Sequence, residues 1–207
     1  LTFDSTYYER GAELNSLSGA LFSDWSQNFS TELRVGKTKL DNRQNSLDAA
    51  SGFPEIQIRV GSGTAFIGPD DSRQSNKLNW ESQTMKLAGT YYMGDHTITG
   101  GYEYEELDVF NLFVQHTVGE YRFNSIADFE AGKVDRIYYG SGAGTNNPDD
   151  AAASFAYATN TLYLQDEFYA TDSLTVLLGL RYDWYSSDDK PTLNSNFRGR
   201  YGYSNQS

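Results

Sequence analysis

"NTLYLQDEFYATDSLTVLLGLRYDW", residues 160–184, is the stretch on which the fold turns. After "ATDS" (170–173), Leu174, Val176, Leu178, Leu180, Tyr182 and Trp184 fall on one face. Thr175, Leu177, Gly179, Arg181 and Asp183 fall on the other. A period of two is the period of a β-strand, and a short polar break between two such runs predicts a hairpin. One face of that hairpin is apolar. It packs either on the core of a soluble sandwich or against lipid around a barrel, and alternation alone does not choose between them.

The same pattern recurs twice upstream. Leu14–Trp25 and Phe29–Lys39 form one pair around "SDWSQN" (23–28). Phe29, Thr31, Leu33 and Val35 share a face opposite Ser30, Glu32, Arg34 and Gly36. Thr84–Met93 and His96–Glu105 form another pair around "MGDH" (93–96). There Met85, Leu87, Gly89 and Tyr91 oppose Thr84, Lys86, Ala88 and Thr90, while Ile98, Gly100, Tyr102 and Tyr104 oppose Thr97, Thr99, Gly101, Glu103 and Glu105. "FRGRYGYS" (197–204) reads as the start of a further strand. "NSIADFEAG" (124–132) is long enough for one helical turn, and no other stretch reads as a helix.

Composition supports strands. The 207 residues include 16 Tyr, 12 Phe and 19 Gly but only 4 Pro. Aromatic residues favour pleated surfaces, and Gly favours tight turns. The formal net charge of -12 argues against nucleic acid, whose phosphates call for Lys and Arg. It also argues against docking on anionic headgroups through a basic patch. The absence of Cys excludes disulfides and thiol chemistry. The longest apolar run is about seven residues, far below the roughly 20 of a membrane helix, whereas a membrane-spanning strand needs about 9–11 alternating residues.

Two features favour lipid. Trp25, Tyr91, Tyr92, Tyr182, Trp184 and Tyr185 lie near strand ends, as aromatic girdles do. Gly89, Gly100 and Thr31 interrupt the apolar faces, where small residues leave voids in a packed core but cost less against fluid acyl chains. The connections between hairpins, about 40 and about 50 residues long, exceed those of ordinary compact domains. Short turns at one end and long polar loops at the other predict an all-β chain. Its antiparallel hairpins would form part of a large transmembrane outer-membrane barrel, with short periplasmic turns and long extracellular loops.

Two motifs carry a family resemblance. The first is Tyr102-Glu103-Tyr104, then Asn111–Gln115, then Gly119, Tyr121, Phe123, Ser125, Asp128 and Phe129. The second is "LYLQDEFYATDSLTVLLGLRYDW" (162–184), in which Phe168 stands where the family usually has Trp. Together they resemble the barrel of TonB-dependent outer-membrane receptors, in particular the Oar-like branch. The resemblance implies active uptake of a scarce small ligand, of a class the sequence does not name. It also implies outer-membrane lipid as surroundings and coupling to the TonB system through a plug domain. No plug, TonB box or C-terminal barrel strand is seen within 1–207, and the chain opens mid-pattern. About six strands against the eight or so of the smallest barrels make it expected to be an internal part of a longer barrel.

Candidate site residues follow from the polar faces. Glu32, Arg34, Lys86, Glu103, Glu105, Arg181 and Asp183 are expected to face the lumen, to pair with one another or to meet plug, water or solute. Glu103 and Glu105 share a strand face, as a glycosidase pair would need, but a polar wall is the simpler reading, and no enzyme is expected. Asp166 and Glu167 are adjacent and point to opposite faces. With two His, at 96 and 116, and no Cys, neither a transition-metal site nor a cofactor is expected. Asp70-Asp71 and Asp149-Asp150 lack the spacing of a calcium loop. "GSGAGTNN" (140–147) has no helix after it and reads as a loop, not a phosphate cradle. A soluble β-rich carbohydrate-binding module is the alternative.

Overall fold

Tight turns organise the long strands. In the computed structural model, which describes residues 1–47, 51–142 and 144–206, each hairpin closes with two residues. Strand β1 (Tyr8–Ser26) returns as β2 (Phe29–Ser46), β5 (Ser75–Met93) as β6 (His96–Val114), and β9 (Ala153–Thr171) as β10 (Leu174–Ser186). Gly94 sits at φ 61 in the middle turn, a left-handed conformation that costs glycine little. The turns lie beside one another. The Tyr92 amide donates to the Asn28 carbonyl at 2.9 Å, and the Tyr169 amide to the Asp95 carbonyl at 3.3 Å. Neighbouring hairpins therefore run antiparallel too, in the order β1-β2-β5-β6-β9-β10. No helix among the described residues is long and apolar enough to cross a membrane.

The strands are longer than their alternation predicts. β5 and β6 each span 19 residues, where the pattern is clean over about ten. The added residues lie at the ends remote from the tight turns, where the faces lose their apolar–polar contrast and backbone pairing alone continues the strand. In β9–β10 the register is Leu180↔Leu164, Tyr182↔Leu162 and Arg181↔Tyr163, with one irregularity at Leu174/Thr175. The two predicted faces of this hairpin are therefore real.

Two compact units emerge. One (Asn15–Lys39, Glu81–Asp108, Phe155–Ser207) holds the tight turns and the alternating halves of the strands. "FRGRYGYS" belongs here and is not a strand. It lies mostly in a helix, α2 (Ser195–Tyr201). Asn194 caps the first turn by accepting from the Phe197 amide at 2.9 Å. Gly202, at φ 80, ends the helix in the left-handed form. Ring contacts of Phe197 with Tyr201 at 4.9 Å and Tyr203 at 5.5 Å favour the helix over an extended chain.

The other unit (Leu1–Leu14, Leu40–Trp80, Val109–Ser154) contains the connections expected to be plain loops. They are not. Four short strands, β3 (Glu55–Val60), β4 (Gly63–Ile67), β7 (Glu120–Phe123) and β8 (Arg136–Tyr138), form a second sheet in the order β4-β3-β7-β8. β3 and β4 form a hairpin, whereas β3 and β7 pair in parallel, Ile56 opposite Tyr121. Ile58, Ala65 and Phe123 are its buried core, flanked by Ile56, Ile67 and Tyr121. The predicted helical turn is α1 (Ile126–Glu130), capped by Ser125, which accepts from the Asp128 amide. Its Phe129 packs edge-on to Phe123 at 5.2 Å. Of "GSGAGTNN", the residues other than Ala143 form no regular element, and Ala143 lies outside the described residues, as do Asp48, Ala49 and Ala50 of the earlier polar stretch.

Phe123→Ala empties the centre of this small core and is expected to destabilise it by about 3 kcal/mol. Amide hydrogen exchange checks this: Glu55–Val60 and Glu120–Phe123 should lose protection while Leu174–Ser186 keeps it.

Candidate functional site

On the apolar face of the long hairpins the side chains point into open space. Leu17, Leu21 and Trp25 of β1, Leu87 and Tyr91 of β5, Leu162 and Leu164 of β9, and Leu178 and Leu180 of β10 are exposed, Leu180 at 81%. These strands carry their largest apolar side chains where a soluble protein would hide them. From Leu174 to Trp184 is ten steps, about 33 Å at 3.3 Å each, or about 25 Å of height at a 40° tilt, which is the height of an outer-membrane apolar belt. Tyr182 stacks on Trp184 at 5.6 Å at the upper margin. Tyr102 donates to Asn160 at 2.6 Å beside them, an amphipathic arrangement suited to an interface.

The glycines on this face do not leave gaps. A Cβ on Gly89 would stand 3.3 Å from the Phe29 ring, and one on Gly100 would stand 3.3 Å from Leu164 Cδ1. Large neighbours on the adjacent strand cover them. This corrects the expectation that these positions are tolerated as voids against lipid: the backbone is narrowed so that a neighbouring side chain lies across it.

The opposite face is charged and tightly connected. Glu32 takes Lys86 at 3.1 Å and also contacts Arg34. Arg181 Nε donates to both Asp183 oxygens at 3.0 Å, its Nη2 donates to Thr161 at 3.1 Å, and its Nη1 lies 3.5 Å from Glu103. Thr161 in turn donates to Asp183 at 2.5 Å. Glu105 accepts from Ser82 at 3.3 Å. All seven predicted residues thus lie on one face, and six of them join the two ion-pair groups. An open cleft of about 440 Å³ runs between them, lined by Lys86, Thr99, Glu103, Tyr163, Gln165 and Arg181. A second, of about 270 Å³, reaches Arg34, Glu105 and Thr161. Tyr163 lies across Gly101, whose missing Cβ would stand 2.6 Å from its hydroxyl and 2.8 Å from the Leu87 carbonyl.

Elsewhere, His96 begins β6 and not a turn; its Nδ1 is 2.7 Å from Asp166, and its ring stacks on Phe168 at 5.1 Å. Asp166 and Glu167 oppose Leu178 and Leu177, on the two faces expected for neighbours.

A second constellation sits at the small sheet, and the sequence gives no spacing signal for it. The chain turns at His116 (φ 60) and Gly119 (φ 96), with the Gly119 amide donating to the His116 carbonyl at 3.0 Å. This turn swings His116 Nδ1 to 3.1 Å from Glu120 Oε2 and 3.4 Å from Asp71 Oδ2. Asp71 opens a short 3-10 turn, Asp71–Arg73, that Asp70 caps. Glu55 accepts from the Asp71 amide at 2.7 Å and from Gln57 at 2.6 Å. Burial raises the Glu55 and Asp71 carboxyls above their ordinary pKa. Glu120 is completely buried, with one oxygen held by Arg122.

A protein-family model described as "Outer membrane beta barrel domain" matches residues 12–205. Among solved structures, the outer membrane transporter YddB from Escherichia coli is similar at a TM-score of 0.57 and 14% identity, over 86% of this chain and 22% of that one. That likeness speaks for the fold. No curated protein matches the sequence.

Gly101→Val is expected to expel Tyr163 from the charged face and to cost on the order of 1–3 kcal/mol through overpacking. The measurement is the thermal unfolding temperature in detergent, which should fall clearly for Gly101→Val and little for a Gly→Val change at solvent-open Gly11.

Proposed function

Because the chain belongs to the outer membrane β-barrel family, we propose that it forms part of the wall of a TonB-dependent transporter that draws a scarce ligand into a Gram-negative bacterium. Family membership places the chain in the outer membrane and displaces the soluble carbohydrate-binding module that alternation alone also allowed. The observation that carries the proposal is the contrast between the two faces of one sheet: Leu162, Leu164, Leu178 and Leu180 exposed on one side, the Glu32 and Arg181 ion-pair groups on the other.

In this reading the exposed leucines contact acyl chains, and Glu32, Arg34, Lys86, Glu103, Glu105, Arg181 and Asp183 line the lumen. There they meet water, a plug domain or the passing ligand. The paired charges keep the wall wet and polar while limiting its net field. The sheet has two edges, β1 and β10, and an open edge in hydrocarbon costs several kcal/mol per unpaired group. Other strands of a larger barrel would close it. The chain spans 22% of the transporter it resembles in structure, which agrees with a share of such a wall. TonB coupling rests on the Oar-like motifs at 102–129 and 162–184, and the role is transport, not catalysis.

Residues 1–207 contain no Cys, so single cysteines placed among them report cleanly once any cysteine elsewhere in the protein is replaced by Ser. In the full-length protein in lipid vesicles, probes at Leu33, Ile98 and Leu180 should be quenched by acyl-chain quenchers. Probes at Glu103 and Arg181 should react with water-soluble thiol reagents. Reversal of that pattern defeats the barrel orientation. TonB dependence is checked separately: full-length protein should retain the periplasmic domain of TonB on a column, and failure to do so removes the energy-coupled part of the proposal.

A further inference from the structure

Glu120 presents a problem of charge. Its side chain is fully buried. One carboxylate oxygen has Arg122, but the other, Oε2, has no hydrogen-bond partner. His116 Nδ1 lies 3.1 Å from it, and that nitrogen too is buried without a hydrogen bond. The pair is close, but its direction is wrong for a hydrogen bond. Asp71 Oδ2, the third atom of the group, is 3.4 Å from the same nitrogen. A buried carboxylate oxygen left without a partner is costly, and native structures rarely keep one unless something else occupies the space.

The geometry has a simpler explanation than a failed ion pair. Around a tetrahedral Zn²⁺ with bonds of about 2.0–2.2 Å, neighbouring ligand atoms stand about 3.3–3.6 Å apart. The separations here are 3.1 and 3.4 Å, and all three atoms lie within 4.8 Å of one another. We propose that Asp71 Oδ2, His116 Nδ1 and Glu120 Oε2 bind one divalent transition-metal ion of the zinc type, with a fourth position open to water. The imidazole selects against calcium and magnesium, which take oxygen ligands.

The surroundings fit. Glu120 is fixed by Arg122, whose guanidinium lies over the Tyr138 ring at 4.6 Å, and His116 packs against that same ring at 5.3 Å. Asp71 is positioned by Glu55, which accepts from its backbone amide. Both Glu55 oxygens accept short bonds, 2.6 and 2.7 Å, and Asp70 Oδ1 accepts two from Ser72, whereas Asp71 Oδ2 takes only a long bond of 3.3 Å from Gln115 Nε2 and keeps a lone pair for the ion. His116 holds a left-handed backbone that few residues other than glycine adopt, and it is this conformation that aims Nδ1 at the two carboxylates. The ion ties three separate segments together: the turn before β5, the end of β6 and the start of β7. It adds to the proposed transport role and is independent of it.

The test uses the full-length protein in detergent, stripped of metal by a chelator and titrated with Zn²⁺ by calorimetry. Asn at 116 tolerates the left-handed backbone, and Gln at 120 keeps the shape of the side chain, so H116N and E120Q are the variants. The parent is expected to bind one Zn²⁺ more than either variant, or to bind it at least tenfold more tightly. Co²⁺ should give the parent a visible absorption band that H116N lacks. A further measurement needs no variant: Zn²⁺ should protect His116 of the parent from acylation by diethyl pyrocarbonate, read by mass spectrometry. Equal Zn²⁺ binding by parent and variants, or acylation of His116 undiminished by Zn²⁺, overturns the proposal.

Discussion

Backbone amides and carbonyls in hydrocarbon have no water to bond, so each must find a partner along a strand ladder. The architecture follows from that one constraint. Strands of up to 19 residues run beside one another, and two-residue turns join them so that only the outer edges of β1 and β10 are left for further strands to pair. Because successive side chains point to opposite faces, one face carries what lipid accepts and the other what water accepts. The ladder supplies the necessity, and the alternation supplies the direction.

Sheet and side chains then adjust to each other through glycine. Phe29 covers Gly89, Leu164 covers Gly100, and Tyr163 covers Gly101. Each pairs an absent side chain on one strand with a large one on the next. The same device serves both environments: an apolar cover where the face is greasy, a tyrosine where it is charged. Arg181 joins β9, β10 and β6 through Thr161, Asp183 and Glu103, so cross-strand order on the polar face depends on specific polar partners more than on packing.

The three hairpins and the faces of β2, β5, β6 and β10 were legible in the sequence, because a period-two pattern next to a short polar turn is a local signal. Leu178 with Leu180 and Glu32 with Arg34 could be assigned to faces by counting alone. Two kinds of feature were not legible. Strand length beyond the alternating portion depends on a partner strand, not on the residues themselves. The small sheet depends on β3 and β7, which lie far apart in the chain; "EIQIRV" (55–60) alternates and Gly61-Ser62 turns it into β4, but six residues inside a long polar connection stand out weakly, and nothing local marks the pairing with β7. "FRGRYGYS" misled because aromatic spacing suits a strand, whereas the Asn194 cap and Gly202 set a helix. The His116 group was invisible because Asp71 reaches it only through tertiary structure.

The parallel pairing of β3 with β7 has a bearing on assembly. β3 belongs to the connection after β2, and β7 to the connection after β6. Their contact closes a span of about 60 residues, and such long-range closure is entropically unfavourable until the intervening chain is already ordered. The hairpin β5–β6 occupies that span and brings its two ends together, so an ordered β5–β6 lowers the entropic cost of joining β3 to β7. The small sheet and the long hairpin are thereby coupled: loosening β5–β6 weakens the pairing of two segments that belong to neither of its strands.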